Sequence, residues 1–160
     1  MLEQLIYFVK GLQKELITVA VAALPISELR GAMPLAVAMG ISLKKAFFLS
    51  VIGNMLPIIP ILIFLEPVSA KLRRFKILAR FFDWFFTRTR KKAGVVEKFE
   101  TLGLILFVAI PLPVTGAWTG CVAASLFKIR FRYAFLAISL GVLIAGIIVA
   151  ALISIGKVLV

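Results

Sequence analysis

Hydrophobic positions along the chain group into four long apolar stretches separated by short polar segments. They cover residues 16–41, 46–65, 102–127 and 133–155. A helix needs about 20 apolar residues to cross the hydrocarbon core of a bilayer. The second and fourth stretches meet this length outright, whereas the first and third are broken near their centres by prolines. The pattern therefore predicts two bilayer-spanning helices and two interrupted ones.

The first break runs from Pro25 to Pro34 and also contains Gly31. Proline lacks an amide hydrogen and clashes with the preceding helical turn, so we expect the helix to lose its regularity at both prolines. Glu28 and Arg30 lie inside this break. At bilayer depth each charge costs about 2.5–3.5 kcal/mol on insertion scales, so each needs a partner or a cavity. We therefore take both as candidate substrate- or ion-binding residues.

The second break, between the third stretch's two arms, has hydroxyl groups where the first has charges. Its predicted break residues are Pro111, Pro113 and Gly120. Its candidate binding residues are Thr115, Gly116 and Thr119. Irregular backbone at membrane depth survives only where protein or a watery cavity satisfies its amides and carbonyls. We therefore expect the two breaks to face each other rather than lipid.

The two halves of the chain resemble each other. An offset of 85 residues gives the pairs Glu15–Glu100, Arg30–Thr115 and Gly31–Gly116, and an offset of 88 gives Ala46–Ala134 and Gly53–Gly141. Each arm beside a break has about 8–11 residues and reaches only part-way across a bilayer. This predicts an all-α membrane fold, an inverted repeat of re-entrant hairpin plus transmembrane helix, with repeats at 15–66 and 100–157. Ordinary proline-kinked spanning helices are the alternative.

A basic segment at residues 71–98 separates the repeats and holds ten Lys or Arg against two acidic residues. Its apolar residues recur at three- and four-residue steps, which is typical of an amphipathic helix lying on anionic lipid headgroups. Because basic loops stay inside, we expect this segment to be cytoplasmic and both termini non-cytoplasmic in a multi-pass inner-membrane protein. Residues 1–14 predict a second interfacial segment.

Composition supports one membrane domain over residues 1–160, since 62% of the residues are hydrophobic and the mean hydropathy is +1.12. The chain has no histidine and one cysteine, Cys121, which excludes histidine-based catalysis and multi-cysteine metal sites. We therefore expect no enzyme activity, no metal and no cofactor. The net charge of +12 comes without a nucleic-acid recognition module, so we expect no nucleic-acid partner.

The residues around both breaks resemble the prokaryotic small multidrug export protein family, which is itself similar in architecture to the DedA and VTT membrane proteins. The runs that carry the resemblance are 24–34 and 111–120, and it extends over nearly the whole chain. It implies paired re-entrant loops and, from DedA-type proteins, movement of lipids that depends on proton gradients. The acid and arginine of the DedA-like pattern map to Glu28 and Arg30, but no charge lies near Thr115, so a two-sided acidic set is not matched.

The leading functional hypothesis is a secondary transporter or lipid flippase with its site where the two breaks meet. Arg30 would hold an anionic headgroup through a bidentate fork, and Glu28 would exchange a proton or another ion. Thr115, Thr119 and the backbone at Gly116 would add neutral hydrogen bonds. Because four membrane elements can barely enclose a pathway, we also expect a homodimer.

Three other hypotheses remain open. Glu28 and Arg30 could form a structural ion pair with no substrate, the protein could export lipophilic cations, or it could be a scaffold that transports nothing. Arg30 lies two residues from Glu28, which works against a site for cations. The remaining intramembrane polar side chain is Asn54, which we expect to donate a hydrogen bond to a hairpin carbonyl rather than to bind a ligand.

Overall fold

The computed structural model describes residues 2–64, 94–111 and 115–159, together with Trp84 and Thr87. Within these ranges the backbone forms helices and turns and no strand, which confirms the all-α prediction for this part of the chain. Contacts divide the chain into two compact units, Met1–Leu56 with Gly146–Val160, and Pro57–Ala145. The basic segment at 71–98 falls largely outside the described residues, so its interfacial helix stays a prediction.

The first unit contains helices α1 (Leu2–Ala23), α2 (Glu28–Ala38) and α3 (Leu43–Met55). Each of the three helices contacts the other two. Helix α1 continues through residue 14 without a break. The buried residues of α2 are apolar apart from Glu28. This apolar face accounts for the packing of α2 against α1 and α3.

Polar contacts set the register of these three helices at one end. They are Lys14 Nζ to the Met39 carbonyl oxygen at 2.6 Å and Lys45 Nζ to Glu15 Oε1 at 2.5 Å. Helix α2 therefore returns antiparallel to α1, while α3 runs in the same direction as α1. Towards its C-terminal end, α3 packs closely against α1, because a Cβ added at Gly53 would lie 2.8 Å from the Ala22 Cβ. The turn at residues 24–27, the start of α2 and Asn54 consequently share the opposite end.

The second unit contains helix α4 (Gly94–Ala109), helix α5 (Ala117–Leu126) and the first part of helix α6 (Phe131–Leu159). Residues of α6 from Gly146 onward belong to the first unit. Val108 of α4 lies between two glycines, because a Cβ at Gly120 or at Gly141 would each come within 2.6 Å of its side chain. Gly120 is therefore a site of close helix packing inside α5 and not part of the break.

The turn that follows the short helix is the same in both units. After α2, the amides of Met39, Gly40 and Ile41 donate to the carbonyls of Leu35, Val37 and Ala36. After α5, the amides of Phe127, Lys128 and Ile129, each 88 residues later, donate to Ala123, Ser125 and Ala124. Gly40 and Lys128 both have positive φ, +85° and +53°. Each unit therefore contains a helix, a break, a short helix and this turn; the inverted, re-entrant arrangement of the two stays a prediction.

Two long helices have the length and composition to cross a membrane, Leu43–Phe64 and Phe131–Gly156. The first covers residues 46–64 of the predicted stretch 46–65, and the second contains the predicted stretch 133–155. In the 18-residue apolar segment of each helix, only 22% and 39%, respectively, is buried within the chain. A core helix of a soluble protein would be mostly buried, whereas these helices leave large aliphatic side chains exposed, including Leu136, Leu140 and Ile147. Such a surface is stable in lipid, so the chain is a membrane protein.

Candidate functional site

The break between α1 and α2 is confined to residues 24–27 and is held by side-chain capping. Pro25 has no amide hydrogen to give to the Val21 carbonyl four residues earlier. The Ser27 hydroxyl donates to that same carbonyl oxygen at 2.5 Å and replaces the missing bond. The amide of Glu28 then donates to the Leu24 carbonyl at 3.0 Å, which closes the turn. The chain reverses direction here with its helix-end carbonyl satisfied.

Glu28 opens α2 in an unusual conformation. Its φ is +48°, in a region that a non-glycine residue seldom occupies, and its side chain is only 6% exposed. Such a backbone costs about 1–3 kcal/mol and persists where the surrounding structure imposes it, commonly at a functional site. The helix N-terminus beside it favours negative charge. The fold therefore places a carboxylate, nearly out of solvent, at the point where the chain turns back.

Arg30 lies two residues further along α2, half-buried, and its guanidinium interacts electrostatically with the Glu28 carboxylate. Gly31 and Pro34 are both inside α2 and not in the break, so the irregular backbone is shorter than the sequence indicated. Pro34 cannot donate to the Arg30 carbonyl, but loss of one ladder bond leaves the eleven-residue helix continuous. Acid and base are thus held on the first turn of one short helix.

The described ends of the second break, between α4 and α5, share one feature with the first. Pro111 follows the end of α4, and the Thr115 hydroxyl donates to the Ile110 carbonyl at 2.8 Å, as Ser27 does in the first break. Gly116 has a φ of +144°, which requires glycine, and is the residue 88 positions after Glu28. Thr119 is 7% exposed and its hydroxyl donates to the Gly116 carbonyl at 3.3 Å. Pro113 lies outside the described residues.

The predicted site residues therefore fall into two groups. Glu28 and Arg30 come together in the first unit, and Thr115, Gly116 and Thr119 come together in the second. A meeting of the two groups stays a prediction. In structural register Thr115 matches Ser27 and not Arg30, because the equivalent turns are separated by 88 residues and not 85.

Sequence reasoning missed two buried polar residues of the first unit, Thr18 and Ser50. Both are fully buried, and Asn54 on the next turn of α3 is 2% exposed. Thr18 donates to the Lys14 carbonyl at 2.8 Å, whereas Ser50 Oγ and Asn54 Oδ1 have no hydrogen-bond partner among the described residues. The signal was available, since polar residues four apart on one face of an apolar helix stand out in the sequence.

Comparison with known proteins identifies a family. The profile of the family described as "Putative small multi-drug export protein" matches residues 28–148, which begin at Glu28 and include both short helices. No curated protein and no solved structure matches the chain.

Proposed function

Because the chain belongs to the small multi-drug export protein family, we propose that it is a membrane transporter whose working site is the first helix break. The observation that carries this proposal is Glu28, whose side chain is 6% exposed in a chain with long apolar helices. Ionisable side chains buried in membrane proteins are costly and mark pathways for ions or substrates. Its positive φ adds a second cost that the fold maintains at the same residue.

The substrate class that these residues suit best is an amphipathic molecule with an anionic, lipid-like headgroup. Arg30 can donate two parallel hydrogen bonds to a phosphate or carboxylate, and the α2 N-terminus favours the same charge. Glu28 would carry the coupling ion, a proton or another cation. In this proposal the second break contributes neutral hydrogen bonds from Thr115, Gly116 and Thr119. Transport would be export or flipping with no covalent chemistry.

Export of lipophilic cations is the second candidate function. The family description favours it, and a buried carboxylate such as Glu28 is the group that would hold a cation in an apolar site. The neighbouring Arg30 guanidinium disfavours it through like-charge repulsion. Discrimination between the two substrates therefore depends on Arg30.

In the membrane, we propose that each break is the tip of a re-entrant hairpin and that the two repeats are inverted. The antiparallel return of α2 along α1 supports a hairpin, because a kink in one continuous crossing would not bring Met39 back to Lys14. The proposal keeps the basic segment 71–98 on the cytoplasmic side of the inner membrane, bound to anionic lipids, with both termini outside. The working form would be a homodimer.

The deciding experiment is flux in liposomes that contain the purified full-length protein. A fluorescent anionic lipid and a lipophilic cation are compared, each with and without a pH or sodium gradient. Gradient-stimulated movement of the anionic lipid supports the leading proposal, and movement of the cation alone supports the second. Absence of flux for both, from protein that is monodisperse before reconstitution, contradicts transport and supports a scaffold role.

Arg30 provides a sharper test. We expect Arg30→Lys to fold but to lose most anionic-lipid flux, because lysine keeps the charge and loses the bidentate fork. Arg132→Lys is the matched control, since Arg132 is exposed on α6. If Arg30→Lys and Arg30→Ala instead reduce the amount of folded protein equally, Arg30 is a structural partner of Glu28 and not a substrate ligand.

A further inference from the structure

Buried polar side chains are concentrated in the first unit. Among the described residues they are Thr18, Glu28, Ser50, Asn54 and Thr119, of which only Thr119 is in the second unit. The hydroxyls of Thr18 and Thr119 donate to backbone carbonyls. Ser50 Oγ and Asn54 Oδ1 have no partner in the part of the chain that the structure describes. A buried oxygen without a partner is strongly disfavoured, so this pair needs an explanation.

The second unit shows that the fold does not need polar residues at these positions. The residues 88 positions after Ser50 and Asn54 are Ile138 and Val142, both buried on the equivalent face of α6. The alignment is supported by Gly53 and Gly141, where a Cβ would lie 2.5 Å from the Val19 carbonyl and 3.0 Å from the Ile105 carbonyl. Apolar side chains fill the same packing position, so the polar pair serves something other than packing.

Ser50 and Asn54 lie four residues apart on the buried face of α3. Residues four apart lie on one helix face, so both side chains point into the same interior. Asn54 lies at the end of the unit where α1 terminates and Glu28 begins α2, and a helix C-terminus carries partial negative charge.

We propose that Ser50 Oγ and Asn54 Oδ1 are ligands of a small monovalent cation, sodium, with the Glu28 carboxylate supplying the charge. Interrupted helices in transporters use carbonyl oxygens and helix C-terminal ends in this way. A monovalent ion fits because Glu28 is the one buried carboxylate among the residues whose side chains the structure describes, whereas calcium takes six to eight oxygens and usually several carboxylates.

The site also specifies a coupling mechanism, which rests on the proposed function. Arg30 interacts electrostatically with Glu28. A cation bound at Ser50 and Asn54 competes for the Glu28 carboxylate and releases the Arg30 guanidinium to an anionic headgroup. Cation and anionic substrate would therefore bind cooperatively and move together.

Sodium binding can be measured without any substrate, by thermal unfolding of the full-length protein in detergent micelles. Sodium chloride replaces choline chloride at constant ionic strength. We expect a saturable rise in Tm, on the order of 5 °C once sodium reaches about 100 times its Kd. Ser50→Ala and Asn54→Val, the latter introducing the valine found at position 142, should lose this rise. Ser139→Ala should keep it, because the Ser139 hydroxyl already donates to the Phe135 carbonyl.

Several outcomes overturn the site. One is a Tm of the unsubstituted protein that is no higher in sodium chloride than in choline chloride. Another is a sodium-dependent rise in Tm that is unchanged in Ser50→Ala. If Asn54→Val aggregates, Asn54→Asp decides, since it keeps an oxygen ligand and adds charge: a retained or stronger sodium response supports the site, and its loss refutes it. A sodium response without lipid flux refutes the proposed function alone, and sodium-independent flux with no Tm response refutes the cation site alone.

Discussion

At the residue scale, Glu28 combines two costs that the fold has no structural need to bear. It carries a nearly buried carboxylate and a backbone of positive φ, while Gly116 occupies the equivalent position of the second unit with neither a charge nor a side chain. Glycine would satisfy the turn at Glu28 without strain. This difference supports the proposal that the carboxylate handles an ion or substrate.

Neutralising Glu28 should separate folding from transport. We expect Glu28→Gln to keep the side-chain shape and the turn but to reduce gradient-driven flux at least tenfold, because the amide cannot carry a proton or balance a cation. Flux in liposomes is the measurement. Glu15→Gln is the control, since Glu15 pairs with the half-exposed Lys45, and such pairs contribute about 0–1 kcal/mol. Equal flux in Glu28→Gln and the unsubstituted protein would remove Glu28 from the mechanism.

Ser50 allows a test of stability in the absence of sodium. Ser50→Ala removes a buried hydroxyl that has no partner within the described ranges, so it should raise the free energy of unfolding by about 1 kcal/mol. Ser139→Ala should lower it by about 0.5–1.5 kcal/mol, because its hydroxyl has a 2.7 Å bond to lose. Denaturant unfolding in choline buffer measures both. Destabilisation by Ser50→Ala of the same size as by Ser139→Ala would show that Ser50 already has a partner.

At the scale of the elements, close packing of α3 against α1 depends on Gly53. We expect Gly53→Ala to cost about 2–3 kcal/mol, because the new methyl group would lie 2.5 Å from the Val19 carbonyl, which is backbone and cannot rotate away. Gly11→Ala is the matched control on α1, where nothing lies within 4 Å, and it should stabilise by about 0.5–1 kcal/mol. Thermal unfolding of both variants is the measurement; equal effects would contradict the packing.

The sequence predicted which elements exist better than where they end. Apolar length alone identified the two long helices, and Pro25 correctly marked the first break. Pro34 was misleading, since a proline removes only one ladder bond and the packed helix α2 absorbs the loss. In the breaks, the sequence alignment used an offset of 85 residues because Gly31 and Gly116 are identical, whereas the equivalent turns of the structure are 88 residues apart. Only the backbone shows that Glu28 and Gly116 are the equivalent positions of positive φ.

At the scale of the whole molecule, the proposed topology can be tested by cysteine labelling. In a background with the buried Cys121 replaced by alanine, single cysteines are introduced at Ser27 and Thr115 and exposed to a membrane-impermeant maleimide from each face. We expect Ser27→Cys to react from the non-cytoplasmic face and Thr115→Cys from the cytoplasmic face, because inverted hairpins open to opposite sides. Reaction of both from one face would contradict the inverted repeat.

The same turn occurs twice, 88 residues apart, and polar side chains are buried mainly in the first unit. Gene duplication followed by divergence produces such a pattern. In a dimer of two identical half-length chains, both copies would carry the same residues. Two halves in one polypeptide can differ: here one carries Ser50 and Asn54 where the other carries Ile138 and Val142. A synthetic chain with two apolar copies should then insert and fold as a scaffold while lacking any ionic selectivity.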